Sequence, residues 1–449
     1  MQALNPRKTA LEILCDIESE GAYSNLSLRE ALEEKAFEAA DRRFLTRLVY
    51  GVLENRMLID SQIESHSKTP VRKMKPWILN ALRLAVYQMG WLDRVPDSAA
   101  INESVKLVKK RFAALSGFTN AVLRGIQRTG INIGAGNGTD LESLSLRYSH
   151  PQWIVERWLE RYGPDRTENI LKADNQTPEL SIRVNRLKTD RNTLLVAFEK
   201  TGIRARASEY LDEAILIEDL GSQRLSDLGL FRDGHFTMQD ISSMLVSKTV
   251  APKDGQKILD LCAAPGGKTT HLAEMMNDRG TVTACDIHPH KIDLILQNTT
   301  RLRIQSVGTD VQDGLAFRKA WCETFDHVLV DAPCSGLGII RKKPEIRYTR
   351  KLEDIQNLAE LQLNLLQSAS RYVKKHGQLI YSTCTIESEE NEGVVRLFME
   401  RNPSFQLVDI NDRLPEPLRS DEPFMNILPD VPGLDGFFTA VLVNMPESE

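Results

Sequence analysis

From Gly255 onward the chain alternates short apolar runs with helical stretches, the runs falling at 258–261, 282–286, 307–310, 327–330 and 379–382. This rhythm constrains the fold more than any other feature. Strands separated by helical crossovers imply a parallel sheet wound on both faces, so residues 238–449 are expected to form an α/β domain, with 437–443 as its last strand. Ahead of it the period changes. Residues 150–237 mix a helix around 152–162, an alternating strand at 180–184, a helix at 190–200 and a strand at 214–218, which reads as a small α+β module. Residues 1–130 read as helix after helix: Leu11, Leu14 and Ile17 share a face, as do Ile78, Leu82, Val86 and Met89, with Pro76 suited to a first turn. Between these parts, 131–149 is expected to be a linker, because the stretch from Gly130 to Asp140 is rich in glycine and asparagine and has little to bury. A chain of 449 residues requires more than one core in any case.

The composition narrows the functional classes. No stretch reaches about 18 uninterrupted apolar residues, and the first residues lack the apolar core and small-residue cleavage site of an export signal. A cytoplasmic protein without a membrane partner is expected. Six cysteines stand at 15, 262, 285, 322, 334 and 384 without a C-x-x-C pair or clustered histidines, which argues against a disulfide framework and against a structural metal site. The net charge of −5 does not advertise a polyanion binder. It hides an asymmetry, however: residues 1–140 hold 20 Lys and Arg against 16 Asp and Glu, a net of +4 that leaves −9 for the rest. The excess gathers at Lys68, Arg72, Lys73 and Lys75 and at Lys106, Lys109, Lys110 and Arg111.

The densest signal follows the first strand of the α/β domain. Asp260-Leu-Cys262-Ala263-Ala264-Pro265-Gly266-Gly267-Lys268-Thr-Thr leads from an apolar strand into a helix. Ligands of open α/β sheets bind at the carboxyl ends of the strands, where paired glycines let backbone amides approach closely. The loop is therefore expected to touch a cofactor. It fits neither the phosphate-binding G-x-x-x-x-G-K-[ST] pattern nor G-x-G-x-x-G. Asp286 ends the next strand, about 20 residues on, where a carboxylate accepts both hydroxyls of a ribose. Asp310, ending a third strand, is a candidate for an adenine amino group, with Asp313 as its rival.

Two thiols end adjacent strands: Cys334 in Asp331-Ala-Pro-Cys-Ser-Gly-Leu-Gly and Cys384 in Tyr381-Ser-Thr-Cys-Thr. Buried cysteine is usually a small hydrophobe, and Cys15, Cys285 and Cys322 are read so. The strand-end pair differs, since Asp331, Ser335, Ser382, Thr383 and Thr385 surround it and both members would project over the rim where the cofactor lies. A thiolate there suits methyl transfer to carbon 5 of cytosine, a poor nucleophile. Attack on carbon 6 loads electron density onto carbon 5, and a carboxyl such as Asp331 would bond ring N3 and the exocyclic amine. Spacing alone does not rank the two cysteines. Arg341, Lys342, Lys343 and Arg347, downstream of Cys334, are candidates for gripping a nucleic-acid backbone. A stacked cytosine does not present carbon 6, so the target is expected in a loop or bulge.

The chain resembles the RNA cytosine-C5 methyltransferase family in LDLCAAPGGKT at 259–269, VDAPCSGLG at 330–338, RKKPEIRY at 341–348, STCTIESEENE at 382–392 and DGFFTAVL at 435–442. MQDISS at 238–243 extends the match. DRRFLTRLVYG and FTNAVLRGIQR in the helical third resemble the NusB-like RNA-binding domain of the bacterial members that act on 16S ribosomal RNA. The resemblance implies an all-α NusB-like domain, an α+β module and a Rossmann-like methyltransferase domain that uses S-adenosylmethionine. It implies that Cys384 attacks the base, that Cys334 assists release and that Asp331 contacts the base. It also implies that residues 262–268 together with Asp286, Asp310 and Asp331 line the cofactor pocket. The expected partner is small-subunit ribosomal RNA and the expected state a monomer. The same chemistry on transfer RNA, or a non-catalytic RNA-binding assembly factor, are the alternatives.

Overall fold

A computed structural model describes residues 4–132, 138–221 and 223–445, in two compact units. The first comprises residues up to Gln176 together with Ile340–Arg350. Its helices of eight or more residues run Pro6–Glu20, Ser24–Glu34, Ala39–Glu54, Arg56–Ser65, Pro76–Trp91, Asp97–Arg111, Ser116–Thr129, Leu141–Tyr148 and Gln152–Asp174. Helix Pro76–Trp91 is the centre: Ile78 through Gln88 are all buried, and a helix apolar nearly all round belongs inside a bundle. Leu11, Leu14 and Ile17 pack in the same core as Leu45, Leu48 and Val49 of the third helix. Gly51 is required there, because a Cβ at that position would stand 1.9 Å from the Tyr87 ring.

The expected linker at 131–149 contains a helix, Leu141–Tyr148, whose first turn is capped by the Asp140 carboxylate accepting from Ser143 N at 3.0 Å. Residues 133–137 of that segment lie outside the described residues. Helix Gln152–Asp174 breaks at Gly163, with φ +74° ahead of Pro164, which is where the sequence pattern ended it. It buries Ile154, Val155 and Trp158.

The second unit, Thr177–Ile339 with Lys351–Glu449, opens with an antiparallel four-stranded sheet: β1 (Leu180–Val184), β2 (Arg204–Ala207), β3 (Ala214–Asp219) and β4 (Phe236–Met238), in the order β2-β3-β1-β4. Helix Arg191–Lys200 covers it with Leu194 and Phe198. An eight-stranded sheet follows: β5 (Lys257–Asp260), β6 (Thr281–Asp286), β7 (Val307–Val311), β8 (Phe325–Asp331), β9 (Val373–Thr383), β10 (Phe405–Val408), β11 (Met425–Ile427) and β12 (Phe437–Asn444). Its order is β10-β12-β9-β8-β5-β6-β7, with β11 beside β12.

Strands β9, β8, β5, β6 and β7 are mutually parallel, whereas β12 runs antiparallel between β9 and β10. The sheet is thus mixed, its parallel core extended by an antiparallel edge. The chain winds outward from β5 to β7 and returns on the other side of β5 to form β8 and β9. The loops leaving β5 and β8 therefore part from each other, and this reversal opens the crevice where such sheets bind ligands. Apolar clusters fill both faces.

Candidate active site

Beyond Asp260 the chain turns through residues 261–265 to Gly266, whose φ of +96° admits glycine far more readily than any residue with a Cβ. Helix Gly267–Met275 starts there and points the unpaired amides of its first turn at the strand ends. Asp260 is buried; its Oδ2 accepts from Thr269 Oγ1 at 2.7 Å while its Oδ1 is buried without a hydrogen-bond partner. Burial pushes its pKa up to about 7, with Asp331 and Asp286 adding to the rise against the Thr269 bond. Burial also drives the Cys262 thiol far above its ordinary range, and Asp260, Asp331 and Asp286 push it the same way. Residues from three strands thus place their carboxylates around one loop.

Asp286 is buried, accepts from His288 N at 3.1 Å and has Lys291 Nζ at 3.5 Å. Asp310 stands apart, ion-paired with Arg318, which in turn lies over the Trp321 ring at 4.3 Å. Asp313 accepts from Leu315 N at 2.9 Å in the turn after β7.

The two thiols meet. Cys334 Sγ lies 3.2 Å from Cys384 Sγ and accepts from Cys384 N at 3.3 Å. The parallel register explains this, because Asp331 pairs with Ser382 and both loops leave from the same level. Contact with Cys384 holds the Cys334 thiol well above its ordinary pKa, and burial adds to the effect. Asp331 links the pair to helix Gly267–Met275: its Oδ2 accepts from Lys268 Nζ at 2.6 Å and its Oδ1 from Ser382 Oγ at 2.6 Å. Burial opposes the charge on Lys268, but the ion pair with Asp331 outweighs it and the pKa is raised.

Under the thiols lies a buried polar layer, of which the sequence singled out Ser335, Thr383 and Thr385 but not Glu390, Asn391 or Gln362. Glu390 accepts from Ser335 N at 2.8 Å, from Ser335 Oγ and from Gln362 Nε2 at 3.0 Å. Ser335 Oγ also meets Thr385 Oγ1 at 2.8 Å. Asn391 accepts from Thr383 Oγ1 at 2.6 Å and donates to Thr385 O at 3.0 Å. Glu390 and Asn391 show in the sequence only as part of the polar run STCTIESEENE. A backbone strap completes the site: Gly338 N donates to Cys384 O at 3.0 Å, and Gly436 N to Gly338 O at 2.7 Å.

The basic run after Cys334 is corrected by its surroundings. Arg347 is completely buried in the first unit, where it donates to Tyr148 O at 3.2 Å, Asn175 Oδ1 at 2.7 Å and Asp174 O at 3.3 Å. Its rigid fork of donors satisfies carbonyls at two helix ends, so it does not grip an RNA backbone. Arg341 is also buried, at 7% exposure. Glu345 accepts from Ser24 N at 3.0 Å and Oγ at 2.6 Å, and Tyr348 OH donates to Leu53 O at 2.7 Å. Lys342 and Lys343 are half-buried, Lys343 lying 4.9 Å from the Tyr23 ring centroid.

Among the described residues no cluster of His, Cys, Asp and Glu is arranged to hold a metal ion, and no helix is long and apolar enough to cross a membrane.

Comparison with known proteins places the chain in a family. The family model described as 16S rRNA methyltransferase RsmB/F matches residues 247–443, that of the NusB family 4–128, and that of the RsmF/B-like ferredoxin-like domain 150–222. The chain is 38% identical to the probable ribosomal RNA small subunit methyltransferase B of Bacillus subtilis, over 98% of each chain. It is 31% identical to ribosomal RNA small subunit methyltransferase B of Escherichia coli O157:H7, again over 98% of both. The crystal structure of PH0851 superposes with a TM-score of 0.84 at 31% identity, covering 98% of this chain and 99% of that one. A methyltransferase homolog protein from Pyrococcus horikoshii gives 0.59 at 28% identity, over 68% and 99%.

Proposed function

We propose that this chain, which belongs to the 16S rRNA methyltransferase RsmB/F family, methylates carbon 5 of a cytosine in small-subunit ribosomal RNA through a covalent bond from Cys384 to carbon 6. S-adenosylmethionine-dependent methylation of ribosomal RNA is the family's activity, and S-adenosylmethionine is the cofactor. When bound it supplies a methyl group on a sulfonium that leaves as a neutral thioether. The donor set fits a cationic ligand: Asp260, Asp286 and Asp331 crowd one loop, and Asp260 keeps a buried oxygen unpartnered. Residues 262–268 would carry its amino-acid end on the helix amides and Asp286 its ribose, with Asp310 near the adenine.

Contact of the two sulfurs at 3.2 Å beside Asp331 carries the cytosine reading, because a transferase acting directly on a nitrogen or oxygen has no use for a thiol pair. Cys384 gives up its proton as its sulfur bonds to carbon 6, and ring N3, held against Asp331, gains one. The electron pair now at carbon 5 takes the methyl group. Carbon 5 then gives its own proton to water, the electron pair of that bond restores the carbon 5–carbon 6 double bond, the carbon 6–sulfur bond breaks with its pair returning to the Cys384 sulfur, and the N3 proton is given back. Cys334, kept protonated by its surroundings, donates to the departing sulfur and stabilises the charge that develops there. Lys342 and Lys343 are the members of the basic run that remain candidates for phosphate contacts.

The test is a ribosomal RNA fragment carrying 5-fluorocytosine, whose fluorine cannot depart as the proton does. Wild-type protein is expected to accumulate a denaturation-resistant RNA–protein adduct, and Cys384→Ala to form none and transfer no methyl group. Normal turnover by Cys384→Ala would overturn the reading.

A further inference from the structure

Residues 390 and 391 are sequence neighbours: Asn391 holds the Cys384 loop, and Glu390 holds chiefly the Cys334 loop, with a further side-chain bond to Thr385. Asn391 spans Cys384, accepting from the residue before it and donating to the carbonyl of the residue after it. Glu390 takes the amide and the hydroxyl of Ser335, the residue after Cys334. The loops are cross-linked once more by the hydroxyls of Ser335 and Thr385. Gln362 fixes the far side of Glu390, donating to it and to Pro333 O at 2.9 Å, and Tyr381 OH donates to Gln362 Oε1 at 3.0 Å. Every group in this layer is buried. A carboxylate with two oxygens and several acceptor sites is the side chain that can receive an amide, a hydroxyl and a carboxamide at once, whereas glutamine in its place would turn two donors toward one of them.

We propose that Glu390 and Asn391 are positioning residues that set the separation of the two sulfurs, Glu390 through the Cys334 loop and Asn391 through the Cys384 loop, so that each governs a different half of the reaction. This rests on the reading above, in which Cys384 attacks and Cys334 assists release. Neither residue touches the base; each acts through the thiol whose loop it holds. Loss of the Glu390 bonds frees the Cys334 loop while Asn391 still holds Cys384, so the adduct should form at nearly its usual rate and decay slowly. Loss of Asn391 should slow formation of the adduct instead.

Two measurements on the full chain test this. The first uses no RNA: diamide, an azo oxidant, takes two electrons and two protons from the thiol pair to leave a Cys334–Cys384 disulfide, and peptide mapping follows its rate. Glu390→Gln is expected to slow closure at least fivefold while the reactivity of exposed Cys322 stays near the wild type. The second follows RNA–protein adduct during turnover: Glu390→Gln should raise its steady-state fraction severalfold, and Asn391→Ala should lower its rate of formation at least fivefold. A merely structural defect would slow both steps together. Closure within twofold of the wild type in Glu390→Gln overturns the positioning claim, whatever the RNA result. If Cys384→Ala instead proves active, the catalytic reading fails while the disulfide rate still decides whether Glu390 holds the sulfurs together.

Discussion

Removing the Asp331 carboxylate should damage the site through Lys268 as much as through the base. Only a tenth of the Lys268 side chain is exposed, and its counter-ion is Asp331 at 2.6 Å. Breaking one side of a fully buried ion pair costs about 3–5 kcal/mol. The Asp331 side chain is 30% exposed, so water softens the loss and Asp331→Asn is expected to cost about 2 kcal/mol. An amide also has one acceptor oxygen where the carboxylate has two, so it can serve Lys268 or Ser382 but not both. Lys268→Met removes the charge and leaves Asp331 hydrated and still bonded to Ser382, which should cost about 1 kcal/mol. The double variant has no stranded charge, and its stability should lie within about 1 kcal/mol of the wild type, a coupling of about 2 kcal/mol. Hydrogen exchange of the amides in helix Gly267–Met275 reads these energies within this unit. Single effects that add to within about 0.3 kcal/mol would refute the ion-pair argument. None of the three variants should regain methyl transfer.

Three further outcomes are expected. The Asp260 pKa is raised by burial from an ordinary value near 4 to about 7; the folded protein therefore holds a proton that the unfolded chain releases, and this group's contribution falls as pH rises from about 4 to about 7. Stability measured across that window should decline more for the wild type than for Asp260→Asn. Gly338→Ala would set a Cβ 2.3 Å from Gly436 O and 2.9 Å from Cys384 O; both are backbone atoms, so the strap must shift, at about 1–3 kcal/mol by thermal melting and with a reduced rate of adduct formation. Arg347→Met should destabilise the first unit by about 3 kcal/mol or more, because it strands buried carbonyls at two helix ends. Protection of helices Leu141–Tyr148 and Gln152–Asp174 against exchange should fall, with no change in the thiol–thiol oxidation rate.

Periodicity made most of the architecture legible. The runs at 258–261, 282–286, 307–310 and 327–330 each became a strand, since local alternation of apolar and helical segments suffices to specify strands and crossovers. Strand β9 began earlier than its apolar run, at Val373, because Lys374, Lys375 and His376 carry no hydrophobic signal and fall where the pairing with β8 is irregular, between Val373 and Gln378. The helix at Leu141–Tyr148 escaped notice for a related reason: a glycine-rich approach masked a short helix started by one aspartate cap.

The candidate site residues were likewise visible one by one. Cys384, Cys334, Asp331 and Lys268 belong to dense motifs at strand ends, and strand ends of a parallel sheet converge on one rim. Residue type and position along the chain determined that much, because they depend on local pattern. What only the tertiary structure decided was which groups share a partner. Arg347 stands in a basic run that reads as a phosphate grip, yet a completely buried guanidinium whose donors meet carbonyls from distant helices has a structural task. Glu390 and Asn391 look like solvated acid-rich polar sequence, yet they become a buried clamp because β8 and β9 are in register and bring Ser335 and Thr385 within bonding distance. Hydrogen bonds between residues some fifty positions apart arise from sheet register and loop closure, and no local pattern encodes those.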